Sequence, residues 1–103
     1  MSRSINKRLA AQQDLLEHFV YLGRQSLDLA DRFLEATEQT FRQLADTAGL
    51  GSPWEFAGPR FSELRFWPVK HFPNHFVFFY ESAAEIEVVR VLHGAQDLAR
   101  IFQ

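Results

Sequence analysis

The stretch Phe76-Val77-Phe78-Phe79-Tyr80, followed by Arg90-Val91-Leu92-His93-Gly94, decides the fold of this chain. The first segment is apolar on both faces, which is typical of a central strand that is covered on both sides. The patterns from Leu64 to Lys70 and from Ile86 to Leu92 predict one strand before it and one after it. The intervening turns, predicted at residues 72–75 and 81–85, are short enough for hairpins. The last third of the chain is therefore predicted to form an antiparallel meander.

Proline has a defined place in this meander. Pro68 lies inside the first predicted strand and has no backbone N–H to donate. Because a central strand needs that donor, the residue predicts either an edge position or a β-bulge. Gly94 ends the third strand, and residues 96–102 predict a last helical turn or two.

Two helices are predicted before the meander. The first runs from Leu9 to Leu22, and Gly23 stops it. Its predicted inner face contains Leu9, Leu16, Phe19, Val20 and Gly23. Its predicted outer face contains mostly polar residues, namely Gln12, Gln13, Asp14, Glu17 and His18.

The second helix has clearer signals at both ends. Ser26 is a good N-cap, Asp28 suits the first turn, and Gly49 and Gly51 terminate the helix. Its residues follow an i, i+3, i+4, i+7 pattern that predicts one buried stripe: Ala30, Phe33, Leu34, Thr37, Phe41, Leu44, Ala45 and Ala48. Because the link between the two helices is short, they are expected to form an antiparallel αα-hairpin.

The remaining segments complete the predicted order. Residues 2–8 fit a short strand, and residues 49–60 are rich in Gly and Pro and predict an irregular loop, which Trp54 and Phe56 peg to the core. The order is thus β-α-α-β-β-β-α within one domain, residues 1–103. The expected fold class is α+β, with a small antiparallel sheet packed against the N-terminal αα-hairpin.

Composition excludes several classes of protein. The net charge of −2 does not suggest sequence-specific nucleic-acid binding. The chain has no Cys, so disulfides and thiolate catalysis are excluded. No apolar run approaches the length of a membrane span, and the N-terminus lacks the apolar core of a signal peptide, so we expect a cytoplasmic protein without membrane contact. The 11 Phe residues exceed the usual content, so some rings are expected to serve a partner's surface.

Catalytic and cofactor motifs are not evident. His71 and His75 flank a turn without a convincing third metal ligand, and His18 is expected on a helix surface. His93 is either a pH-sensitive catalytic group or a structural residue that bonds the backbone at a strand end. No serine lies in a nucleophile elbow, and the loop of residues 49–60 has no phosphate-binding pattern. We therefore predict no cofactor, no metal and no catalytic residue.

Basic residues concentrate on the predicted meander. Arg65, Lys70 and Arg90 lie on its strands, and Arg60 lies just before it. Depending on strand register, several could share one face and contact RNA phosphates, an acidic protein surface or a carboxylate. A solvated surface is the alternative interpretation.

The chain resembles the ParE branch of the RelE/ParE toxin superfamily. The resemblance rests on the element order and on four segments: Gly51-Ser52-Pro53, Leu64-Arg65, Phe76–Tyr80 and Arg90–Gly94. The resemblance covers nearly the whole chain. It implies the toxin of a type II toxin–antitoxin system, of the kind linked to plasmid stabilization, with a small cognate antitoxin as partner. ParE-like members act on DNA gyrase through protein–protein interaction, whereas RelE-like members cut mRNA on the ribosome.

Two positions favour the ParE-like alternative. RelE-like enzymes commonly have an Arg second in the strand where this chain has Val77, and often a Tyr or His near the C-terminus, where this chain has Arg100-Ile101-Phe102-Gln103. Gln96 departs from common ParE forms, in which a basic residue often follows the His-Gly pair. An mRNA endonuclease and a non-toxic partner-binding module remain alternatives. The candidate residues for binding target or partner are Arg60, Arg65, Lys70, Arg90, His93, Trp54 and Trp67.

Overall fold

A five-stranded sheet forms the middle layer of the protein, which a computed structural model describes over residues 2–103. The strand order across the sheet is β1-β5-β4-β3-β2. The strands are β1 (Ser4–Lys7), β2 (Ser52–Pro53), β3 (Arg65–Val69), β4 (Phe72–Glu81) and β5 (Glu85–His93). The helices are α1 (Leu9–Gly23), α2 (Leu27–Asp46) and α3 (Leu98–Ile101), with a short 3₁₀ turn at Pro59–Phe61.

The predicted α+β class is confirmed, and so is the element order apart from one additional strand, β2; the sheet is mixed rather than antiparallel. β1 pairs with β5 in parallel, with Ser4 opposite Glu85 and Lys7 opposite Val88. The prediction missed this because the strands of the pair are far apart in sequence. The loop predicted to be irregular also contributes β2, which pairs with the start of β3.

The hairpin between β3 and β4 turns earlier than predicted. Val69 pairs with Phe72, so Lys70 and His71 form the turn, and the residues predicted as a turn belong to β4. His71 has a φ of 66°, in the left-handed region that favours glycine. The sequence has no glycine at this position that would have indicated the turn. Pro68 does lie beside a register shift near the sheet edge, as predicted.

The α2 helix follows the predicted pattern closely. The Ser26 side chain accepts a hydrogen bond from the Leu29 N–H at 3.2 Å, which caps the N-terminus. Its buried residues are Ala30, Phe33, Ala36, Thr37, Thr40, Phe41, Leu44 and Ala45, whereas Ala48 lies beyond the helix and is exposed. At the other end, the Arg3 guanidinium donates to the Leu44 and Thr47 carbonyls and ties β1 to the last turn.

The predicted inner face of α1 is largely wrong, although Phe19 does pack against the core. Leu9, Leu16 and Val20 are exposed, whereas Ala11, Asp14 and Leu22 are buried. Two polar residues predicted on the outside, Asp14 and His18, instead face the sheet. Their partners lie on β4 and β5, so a periodicity analysis of α1 alone could not identify them.

Apolar cores fill both sides of the sheet. The αα-hairpin covers one face, where Phe33, Phe41, Val77 and Phe79 are buried. The segment between α2 and β3 and the C-terminal segment cover the other face, where Phe78 and Phe102 are buried. These two cores account for most of the aromatic residues of the chain.

Among residues 2–103, no helix has both the length and the apolar character needed to cross a membrane.

Candidate functional site

The predicted basic residues have different surroundings. The Arg65 guanidinium donates a hydrogen bond to the Gly51 carbonyl at 2.6 Å, which ties β3 to the loop before β2. Lys70 is exposed at the β3–β4 turn, and Arg60 is exposed with its guanidinium 5.9 Å from the centre of the Phe61 ring. Arg90 is half-buried. Lys70 and Arg60 are thus the freely accessible cations of the predicted group.

Arg90 forms a bidentate ion pair with Asp14. Its Nε and Nη2 atoms donate to the Asp14 carboxylate at 2.7 and 2.8 Å, and the Val91 N–H donates to the same carboxylate at 3.0 Å. The hydrogen bond with Asp14 raises the pKa of Arg90, although burial opposes this. Since Asp14 is buried, this contact locks α1 to β5.

Three histidines cluster beside this ion pair. His75 on β4 is buried, and the ring centres of His18 and His93 lie 5.0 and 4.8 Å from its own, nearly perpendicular to it. Burial, followed by the charges of His18 and His93, lowers the pKa of His75 to about 4. His75 is therefore neutral at physiological pH and is part of the packing between α1 and the sheet.

The two outer histidines are held by the backbone. The His18 Nε2 atom lies 2.8 Å from the Val91 carbonyl, which can only accept, so Nε2 carries a proton. The His93 Nδ1 atom accepts a hydrogen bond from the Ala95 N–H at 2.9 Å. The predicted strand-end role of His93 is confirmed, whereas the prediction of His18 on a helix surface is wrong.

Trp54 is partly buried and packs against the core on the sheet face opposite the αα-hairpin, which we call the second core. Its ring is 5.4 Å from those of Phe66 and Phe78 in edge-to-face geometry, and its buried indole N–H has no partner among residues 2–103. This arrangement confirms that Trp54 pegs the loop to the core. Phe56 packs against Trp54 but is 75% exposed, so its predicted role as a peg is wrong.

Trp67 and Lys70 line a shared groove. The groove runs between α2 and the β3–β4 hairpin and has a volume of about 620 Å³. The Trp67 indole N–H donates to the Gln43 side chain at 3.2 Å, which fixes the ring against α2. Trp67 and Lys70 were binding candidates from the sequence, whereas His71 was considered only as a metal ligand and Gln39 was not considered. Polar residues on a helix and a turn carry no distinctive pattern for binding.

A second accessible surface lies on α1. Leu9, Leu16 and Tyr21 are 68%, 63% and 62% exposed, and Val20 is also exposed. We call these four residues the α1 strip. Leu16, Val20 and Tyr21 also line a shallow concavity with Glu17 and Arg24. Exposed large apolar residues that cluster on one helix indicate a protein-binding surface rather than a core face.

This mixed sheet with an αα-hairpin on one face defines a RelE/ParE-like fold. A similar solved structure is described as the chromosomal ParDE TA system from P. aeruginosa; it covers 89% of this chain and 96% of that chain, with 15% identity and a TM-score of 0.67. A comparison with curated proteins finds no match.

The family model for the ParE toxin of the type II toxin–antitoxin system parDE matches residues 6–98. The chain therefore belongs to the ParE toxin family, as its sequence suggested. Membership implies an antitoxin as partner.

Proposed function

We propose that this protein inhibits DNA gyrase by protein–protein interaction, without catalysis of its own, and that a cognate antitoxin neutralises it in the cytoplasm. The family assignment over residues 6–98 is the observation that carries this proposal.

The burial of two key positions supports gyrase over mRNA. RelE-type cleavage needs basic and acid–base groups around the scissile phosphate. Val77 is fully buried under the αα-hairpin, and Phe102 is fully buried in the second core. Neither position therefore offers a group to RNA. The half-buried Arg90 is already engaged by Asp14, which reduces its value for a phosphate contact.

The α1 strip is the surface that we propose for the antitoxin. It combines exposed apolar side chains with the flanking charges Glu17 and Arg24, so it suits an amphipathic helix. Burial of such side chains contributes roughly 25 cal/mol per Å² before ordering costs. Binding should therefore raise the melting temperature of the toxin and show a negative heat-capacity change.

Purified components distinguish the candidate activities. The protein should inhibit supercoiling by gyrase, or trap gyrase on cleaved DNA, and should leave ribosome-bound mRNA intact. Addition of the antitoxin should restore supercoiling. Codon-specific cuts in mRNA within a translating extract, with supercoiling unaffected, would reverse the proposal.

A further inference from the structure

The groove beside Trp67 continues along α2. A second concavity of about 400 Å³ shares Gln39 and His71 with the first, so the two form one groove. Its α2 wall extends from Leu29 to Gln43, which corresponds to about 20 Å at the helical rise per residue. No lining residue comes from α1, so the groove is separate from the α1 strip.

The strand that borders the groove cannot pair with a further strand. The backbone N–H of Trp54 donates to the Leu64 carbonyl at 2.8 Å, so Leu64 directs its backbone groups toward β2. Because alternate residues of a strand direct these groups to the same side, Pro68 directs its backbone toward the same edge. Pro68 has no N–H, and the next outward donor, Lys70 N–H, already bonds the Thr40 hydroxyl at 2.9 Å. A ligand must therefore bind through its side chains rather than by extending the sheet.

The walls of the groove combine apolar surface with charged side chains: Lys70 lines the first concavity, and Arg32 and Glu35 line the second. Trp67 and Phe72 are half-buried and present part of their rings, and the half-buried Leu29 adds aliphatic surface from the first turn of α2. Lys70 is exposed and has no ion-pair partner within residues 2–103. The complementary ligand is therefore apolar along one side and carries a carboxylate opposite Lys70.

His71 lies where the two concavities meet. It is the second residue of a two-residue turn, and its φ of 66° is one that glycine adopts without strain. An L-residue in this conformation lowers stability relative to glycine. The exposed His71 side chain lies in the groove, where a ligand can reach it.

We propose that this groove binds an α-helix of the toxin's target, with apolar side chains against Trp67 and Phe72 and a carboxylate at Lys70. A helix matches the length of the groove and needs no free strand edge, which this border does not offer. The inference rests on the proposed toxin function, but it does not require that the target be gyrase.

Two substitutions test the groove without touching the cores. Lys70→Glu reverses the charge of the free cation, and His71→Gly removes the side chain while it relieves the backbone. Arg42→Glu, on the exposed part of α2 outside the groove, is the matched control. Both groove variants should need at least tenfold more toxin to arrest growth, whereas the control should match the wild type. Antitoxin affinity should change less than twofold in all three, and His71→Gly should melt at or above the wild-type temperature.

Several results would overturn the proposal. Full toxicity of both groove variants would mean that the groove is only solvated surface. Lost antitoxin binding with unchanged toxicity would assign the groove to the antitoxin instead. Growth arrest by the wild type without inhibition of supercoiling would refute gyrase as the target, yet the groove variants would still test the groove.

The helical form of the ligand is tested by cross-linking. Because the chain has no cysteine, Gln39→Cys can carry a single photoreactive group into the groove. With purified gyrase, the cross-linked positions on gyrase should be spaced by three or four residues. Spacing by two residues would indicate an extended ligand and refute the helix.

Discussion

Acidification should destabilise this protein through His75. The pKa of this buried ring is lowered from 6.5 to about 4, first by burial and then by the charges of His18 and His93. The unfolded chain therefore takes up a proton below about pH 6.5 that the folded chain does not take up until about pH 4. The contribution of His75 is fully present at pH 7 and is lost progressively between these values, by about 3 kcal/mol in total.

Urea denaturation at pH 7, 5.5 and 4 measures this loss. His75→Phe keeps an aromatic ring beside Phe33 and Phe72 but cannot titrate, so it should lose about 3 kcal/mol less than the wild type between pH 7 and 4. His71→Asn changes an exposed histidine and should follow the wild type. The titration of carboxylates contributes equally to the pH dependence of the unfolding free energy in all three proteins. If the wild type and His75→Phe showed the same dependence on pH, the reasoning about the cluster would be refuted.

Further predictions concern the ion pair, the second core and the α1 strip. Arg90→Met should lower the free energy of unfolding by about 2–3 kcal/mol in chemical denaturation, because it leaves the buried Asp14 carboxylate with only the Val91 N–H; an Asp14→Asn background should remove most of that cost. Phe102→Ala should cost about 3–5 kcal/mol, since the ring is fully buried, and a melting temperature close to that of the wild type would contradict this packing. Leu16→Glu should weaken antitoxin binding at least tenfold by calorimetry at an unchanged melting temperature; unchanged affinity would show that the antitoxin binds elsewhere.

Sequence analysis succeeded where the signals were local. The α2 helix has a capping serine and a long periodic stripe, and both features act within the helix itself. β4 is apolar on both faces, and the structure covers it on both faces. Pro68 has no backbone N–H, and this local property correctly predicted its position near the sheet edge.

The failures involve distant partners, apolar residues that face solvent, and one turn that lacks the glycine its conformation favours. Asp14 is buried because Arg90, which is 76 residues away, neutralises it. Leu16 and Val20 continue an apolar pattern on α1 but face solvent, since periodicity cannot separate a core face from a partner's surface. The β3–β4 turn was misplaced because His71 adopts a backbone conformation that usually indicates glycine. The groove therefore became visible only in three dimensions.

Induced expression of this chain, with and without the small antitoxin reading frame expected beside it, tests the central claim most directly. Expression alone should arrest growth, and co-expression of the antitoxin should restore growth while the toxin remains soluble and abundant. Normal growth at high, soluble expression of the toxin alone would contradict the account and would assign the protein to a non-toxic partner-binding module.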